Sequence, residues 1–155
     1  MRYWLLVFGL LFSSVGYAQI DEQLAVRALI GEAIGQQDDE LLAHAYALKN
    51  RGTLRGVYGL HATHTPNPTP EQWQRVSKAW WTANLSDCEE IYKFNERLSI
   101  KFQSQNCGPM GECTEWRSDY DLKKMAGRGQ TPESQGLYDG LRVGETFFYK
   151  LRNNS

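Results

Sequence analysis

Glu32 stands between Gly31 and Ala33 in residues 31–51, GEAIGQQDDELLAHAYALKNR. Ala28 and Leu29 precede it by four and three positions, so a helix would carry its carboxyl on or beside an apolar face. A carboxyl in partly apolar surroundings holds its proton to higher pH and can serve as a general acid. At the end of a helix the same residue can instead be a solvated side chain. The difference rests on whether a cleft opens there.

Other side chains with chemical potential are fewer. His61 and His64 have His-x-x-His spacing in a loop, and His44 is the third histidine. A zinc site needs three or four ligands, and the helical His-Glu-x-x-His pattern is absent. No metal or other cofactor is therefore expected. His44 falls on an apolar helix face and is expected in the core with one hydrogen bond. Tyr58 and His61 follow Asn50 and Arg51 in a glycine-rich loop, which makes them substrate-binding candidates. Asn50 and Arg51 are expected to cap the helix and hold that loop. Trp73 and Trp80 fit a core stripe, whereas Trp81 is one step off it and is the better candidate for contact with a substrate or partner.

Five helical segments and a β element can be read around these residues. Asp21 begins a first helix through Ala33, with Leu24, Ala25, Ala28 and Leu29 at helical spacing. A second helix over 38–50 is capped by Asp38 or Asp39 and stopped at Asn50, Arg51 and Gly52. Residues 52–69 hold three glycines and two prolines and read as a loop. Thr69, Pro70 and Gln72 form a capping-box start for a third helix through Asn84. A fourth over 88–102 has Ile91, Phe94, Leu98 and Phe102 as its face. Residues 103–118 read as a loop, 119–125 as a short helix, and the tail GLYDGLRVGETFFYKL as turns with a short strand or hairpin. The fold class is mainly α, with a short C-terminal β element.

The chain has 155 residues. Residues 4–12 (WLLVFGLLF) follow Arg2, and Gly16 and Ala18 stand at minus three and minus one to a cut before Gln19. That pattern predicts a signal peptide over 1–18, a single domain over 19–155 and a periplasmic or secreted product. The apolar run is shorter than the roughly 20 residues of a membrane span, so no stable membrane anchor is expected after signal removal. With 17 basic and 18 acidic residues and no basic block, nucleic-acid binding has no electrostatic basis. An uncharged or mixed polymer such as a glycan remains a suitable partner, as does another protein.

Three cysteines allow one pair and one thiol in an oxidising compartment. One disulfide containing Cys107 is expected. Cys113 is the favoured partner, across the flexible GPMGE connector, and Cys88 is the alternative.

Residues 31–51 also carry a family resemblance. Glu32-Ala33, Gly35, an alanine-rich helix containing Ala43 and Ala45, and the Asn50-Arg51 ending resemble the SleB-like cell wall hydrolases of the spore-cortex-lytic type, within the lysozyme-like muramidases. Val57-Tyr58 resembles that family's next aromatic segment, and Val143-Gly144 with Phe148-Tyr149 its closing element. The resemblance implies a small lysozyme-like domain that cleaves peptidoglycan glycan strands, with Glu32 as acid. On that reading the glycines near Glu32 leave room for a sugar. Ordinary glycosidases use a second carboxylate, for which Asp87, Glu89, Glu90, Glu115 and Asp119 are candidates. A lytic transglycosylase manages with one, because the C6 hydroxyl of muramic acid attacks and leaves a 1,6-anhydro sugar. Leu41 stands where the family has glutamine, and SDCEEIYKFN from Ser86 replaces its Asp-Pro-Thr…Gly-Ala motif. Those departures leave a second reading open, a non-catalytic cell-wall-binding or interaction domain on the same scaffold.

Overall fold

The computed structural model describes residues 19–62, 67–100 and 108–152. Residues 1–18, where a signal peptide is expected, and His64, Phe102 and Cys107 lie outside them. The chain order is α1 (Glu22–Ala33), α2 (Asp38–Arg51), a 3₁₀ turn (Tyr58–His61), α3 (Pro70–Leu85), α4 (Cys88–Arg97), a second 3₁₀ turn (Pro109–Glu112), β1 (Glu115–Ser118), α5 (Asp119–Ala126), a third 3₁₀ turn (Glu133–Gln135), β2 (Leu137–Val143) and β3 (Thr146–Leu151). The protein is mainly helical, with a small antiparallel sheet ordered β1-β3-β2. Among the described residues, no helix is long and apolar enough to cross a membrane.

Helix α2 is the centre. Leu41, Ala43, His44, Ala45, Tyr46, Ala47 and Leu48 are all buried, so the helix is enclosed on nearly every side. Its three alanines admit close neighbours, while Tyr46 and Leu48 fill volume. Helices α1 and α3 pack against it, contributing Ala25, Val26, Ala28, Leu29, Ile30, Val76, Trp80 and Ala83 to one core. Two positions depart from the expected faces. Leu24 on α1 is about half exposed and Trp73 on α3 partly so.

Helix ends follow local chemistry. Asp21 caps α1 by accepting from Leu24 N–H, and Thr69 with Gln72 forms the capping box of α3. Helix α2 differs from expectation: its N-cap is Gln37, which makes no side-chain cap bond. Asp38 and Asp39 sit inside the first turn, where the helix dipole favours them, and bind neighbours instead. Asp38 pairs with Arg75 of α3 at 2.8 Å, and Asp39 with Arg97 of α4 at 2.7 Å. Arg75 also donates to the carbonyls of Ile34 and Gln36, which holds the turn between α1 and α2. Gly52, left-handed at φ 68°, closes α2. Helix α4 stops at Arg97, short of the expected end, and Ser99 beyond it is left-handed at φ 57°.

The sheet is tied to α2 by a buried carboxylate. Glu40 accepts from Thr146 Oγ1 at 2.7 Å, at the start of β3, and from Glu145 N–H at 3.1 Å, in the turn between β2 and β3. Gly144 in that turn has φ 59°, and a Cβ there would overlap Glu40 Oε2. The site needs glycine for its backbone and for its lack of a side chain. Strand β1 was not foreseen within 103–118. It forms because Glu115, Trp116, Arg117 and Ser118 pair with Tyr149, Phe148, Phe147 and Thr146 of β3, a partner some thirty residues away in sequence.

Candidate functional site

Glu32 is the last residue but one of α1. Two neighbours fix its carboxylate. Oε1 accepts from the backbone N–H of Gly59 at 2.7 Å, and Oε2 accepts from the indole Nε1–H of Trp116 at 3.0 Å. The side chain is partly exposed.

The first contact depends on two glycines. A Cβ on Gly31 would overlap Gly59 O, and one on Gly59 would overlap Ala28 O and crowd the Glu32 side chain. Helix α1 and the 58–61 turn therefore meet backbone to backbone. Gly31 serves this contact rather than leaving room for a substrate, which corrects the sequence reading. Gly35 has open space around the position of a Cβ.

The second contact depends on β1. The turn before it holds Met110 at φ 56° and Glu112 at φ 67°, conformations that cost a non-glycine residue about 1–2 kcal/mol each. Two asparagines hold that turn. Asn50 Nδ2 donates to the carbonyls of Pro109 and Cys113, both at 3.0 Å. Asn95 donates to Gly108 O and accepts from Met110 N–H. Asn50 thus braces the entry to β1 and does not cap α2, a role taken by Gly52.

Beneath the indole lies His44. Its ring meets Trp116 edge-on at 5.5 Å and Phe148 at 4.9 Å between centroids. Nδ1 is 2.9 Å from Glu40 O, and a carbonyl only accepts, so Nδ1 carries the proton. Burial lowers the His44 pKa below 6.5, against opposing pulls from the Glu40 carbonyl and the Glu32 and Glu40 carboxylates. His44 is a neutral core residue that backs the indole. On the other side, Arg51 pairs with Glu115 at 2.9 Å, donates to Arg55 O, and lies 5.9 Å from the Trp116 ring centre.

Glu32 opens into a groove of about 680 Å³. Arg51, Tyr58, Glu115, Trp116 and Arg117 form one part of its lining, and Asp121, Lys124 and Arg128 another. A second hollow of about 630 Å³ shares Arg51, Gly56 and Glu115 with it and continues toward Tyr138 and Lys150. The wall of the first groove is mostly polar, with two aromatic surfaces. The almost fully exposed Tyr58 is available for stacking, and Trp116 is partly exposed to the groove.

The sequence candidates divide accordingly. Glu32, Tyr58 and Arg51 share the groove, whereas exposed His61 is not part of its lining. Trp81 is half exposed and lines a separate hollow with Gln19, Ile20 and Leu85, away from the groove of Glu32. Of the possible second carboxylates only Glu115 lines the groove, and it is engaged by Arg51. Asp87 and Glu90 form the capping box of α4, Glu89 pairs with Lys93, and Asp119 lies 3.7 Å from Arg142. Asp121, not foreseen, reaches the groove but accepts bonds from Ser118 N–H and Oγ.

Cys113 is a free, buried thiol, and burial pushes its pKa up to about 11. This overturns Cys113 as the favoured disulfide partner. Cys88 is the cysteine that is disulfide-bonded. No grouping of three or more metal-ligating side chains occurs among the described residues.

No protein-family model matches this chain, and neither a curated protein nor a solved structure matches it.

Proposed function

We propose that this protein cleaves the glycan strands of peptidoglycan outside the cytoplasm, on a lysozyme-like scaffold, with Glu32 as general acid. One observation carries the reading. A glutamate at the end of α1 opens onto a polar groove while N–H donors from two other elements fix both its oxygens. The resemblance of residues 31–51 to the SleB-like hydrolases supports the same assignment.

Each Glu32 oxygen keeps a second lone-pair direction for a proton. Protonated Glu32 gives that proton to the glycosidic oxygen as the C1–O bond breaks, and the leaving sugar departs as an alcohol. Tyr58 and Trp116 stack on sugar faces and hold the strand. The resulting Glu32 carboxylate then takes a proton from the group that attacks C1. Glu115 is paired with Arg51, and Asp121 serves the cap of its own helix through Oδ2, so neither is held by donors from two other elements as Glu32 is. The arrangement favours attack by the C6 hydroxyl of muramic acid, which needs one acid–base group and yields a 1,6-anhydro end.

Glu32→Gln should lower muropeptide release from purified sacculi by about 100-fold or more, the usual worth of a general acid. Unchanged release by the folded variant overturns the proposal. Mass spectrometry of wild-type products should find anhydro ends; reducing ends would assign hydrolysis by water.

The engagement of Glu115, together with the absent Asp-Pro-Thr…Gly-Ala motif, also favours a second reading. In it the groove is a non-catalytic site for cell wall or for a protein partner. Wild-type protein that sediments with sacculi yet releases no product would support that reading.

A further inference from the structure

The groove carries a charge asymmetry that acid catalysis does not use. Four cationic side chains, Arg51, Arg117, Lys124 and Arg128, line it against three carboxylates, Glu32, Glu115 and Asp121. The chain as a whole is net negative by one charge. Glu115 is paired with Arg51, whereas Asp121 and Glu32 are held by uncharged donors, Ser118 for the first and Gly59 with Trp116 for the second. Lys124 and Arg128 differ. Both are exposed, and neither has an ion pair within 4 Å among the described residues. Lys124 lies 5.9 Å from the Tyr120 ring, a contact that leaves its charge unneutralised. Helix α5 and the turn after it thus present two cations without a direct ion pair, on a groove whose lining carries one more cation than carboxylates and also holds Glu32 and the aromatic surfaces.

A neutral polysaccharide has no use for such a wall. A glycan with carboxylates on alternate sugars, on the lactyl group or the peptide attached to it, would set anions beside that wall while its rings lie on Tyr58 and Trp116. We infer that Lys124 and Arg128 are specificity-determining residues that select a carboxylated glycan strand over an uncharged one. The inference rests on the proposed glycan-strand reading but not on catalysis. Two exposed ion pairs contribute modestly, and salt screens them. The expected discrimination is therefore about three- to tenfold.

The test is binding. Glu32→Gln protein is sedimented with sacculi freed of phosphate polymers, with the same sacculi after carbodiimide coupling of methylamine to their carboxyl groups, and with chitin. Wild-type protein on ice gives a parallel comparison that does not depend on the folding of the variant. Untreated sacculi should bind about three- to tenfold more tightly than amidated sacculi or chitin. The difference should vanish in Lys124→Ala/Arg128→Ala protein. It should also vanish at 0.5 M salt, where screening falls to about 4 Å. The conservative pair Lys124→Arg/Arg128→Lys should retain it. Equal binding to amidated sacculi overturns the inference, as does discrimination that survives the double alanine variant. Failure of catalysis alone is read separately from muropeptide release and leaves this comparison standing.

Discussion

The indole of Trp116 joins two parts of the site. Its N–H holds Glu32 Oε2, and its ring rests on neutral His44. Trp116→Phe keeps an aromatic ring against His44 but removes the donor. A hydrogen bond to a charged group contributes about 1.5 kcal/mol, which corresponds to roughly a tenfold loss of turnover. The loss should appear in kcat more than in KM, measured on soluble glycan fragments. His44 supplies a stability signature. Its folded pKa is lowered, so on acidification the unfolded chain binds a proton near pH 6.5 while the folded chain does not. Stability should fall as pH drops below about 6.5, by at most about 1.4 kcal/mol per unit from this group. Urea unfolding at pH 7.5 and 5.5 should therefore show a smaller pH difference for His44→Gln than for wild type. An equal difference would mean that His44 takes up its proton in the folded state.

At the scale of elements, the site is made by close approach between α1 and the 58–61 turn and by the approach of β1 across α2. The first requires the absence of two side chains. Gly59→Ala places a methyl against Ala28 O and the Glu32 side chain, so α1 and the turn must separate. Its unfolding free energy should fall by about 1–3 kcal/mol or more, and activity should fall with it because Gly59 N–H leaves Glu32. Gly35→Ala is the control. It meets open space, has no positive φ and reduces the freedom of the unfolded chain. Denaturant melts should show it unchanged or up to about 1 kcal/mol more stable. Comparable losses in the two variants would contradict the glycine-on-glycine contact.

Across the whole molecule, one core runs from α1, α2 and α3 to Phe148 of the sheet, and Glu40 couples the hairpin turn to the central helix. The covalent link belongs to this scale as well. Three cysteines are present, Cys113 is free, and Cys88 is bonded. Non-reducing peptide mapping of the protein from its native compartment should return Cys88 linked to Cys107. Cys113 should take up alkylating reagent only after denaturation, because it is buried and its thiol titrates at about 11. Closing a loop of that length should contribute about 3 kcal/mol, lost on reduction. Recovery of a Cys107–Cys113 peptide would contradict this arrangement.

Local signals in the sequence were sufficient for α1, α2 and α3, whereas α4 ended at Arg97, short of its apolar pattern. Asp21, the Thr69–Gln72 capping box, the stop at Gly52 and the three-and-four spacing of α1 place their elements within a residue or two, because caps and faces are interactions among near neighbours. The terminal hairpin was legible for the same reason. Glu32 could be singled out as a carboxyl beside an apolar face at a helix end. Its partners could not. Gly59 acts through a backbone N–H, which no residue type advertises, and Trp116 was one tryptophan among several in a segment without helical periodicity. Strand β1 exists only by pairing with β3, and the register of that pairing turns Trp116 toward His44 and Glu32. Trp81, by contrast, looked suited to a cleft from its place on the helix, yet α3 carries it to another side of the molecule. Periodicity specifies which face of a helix is buried. Which groove an exposed side chain enters depends on contacts between residues distant in sequence, and only the packed chain determines those.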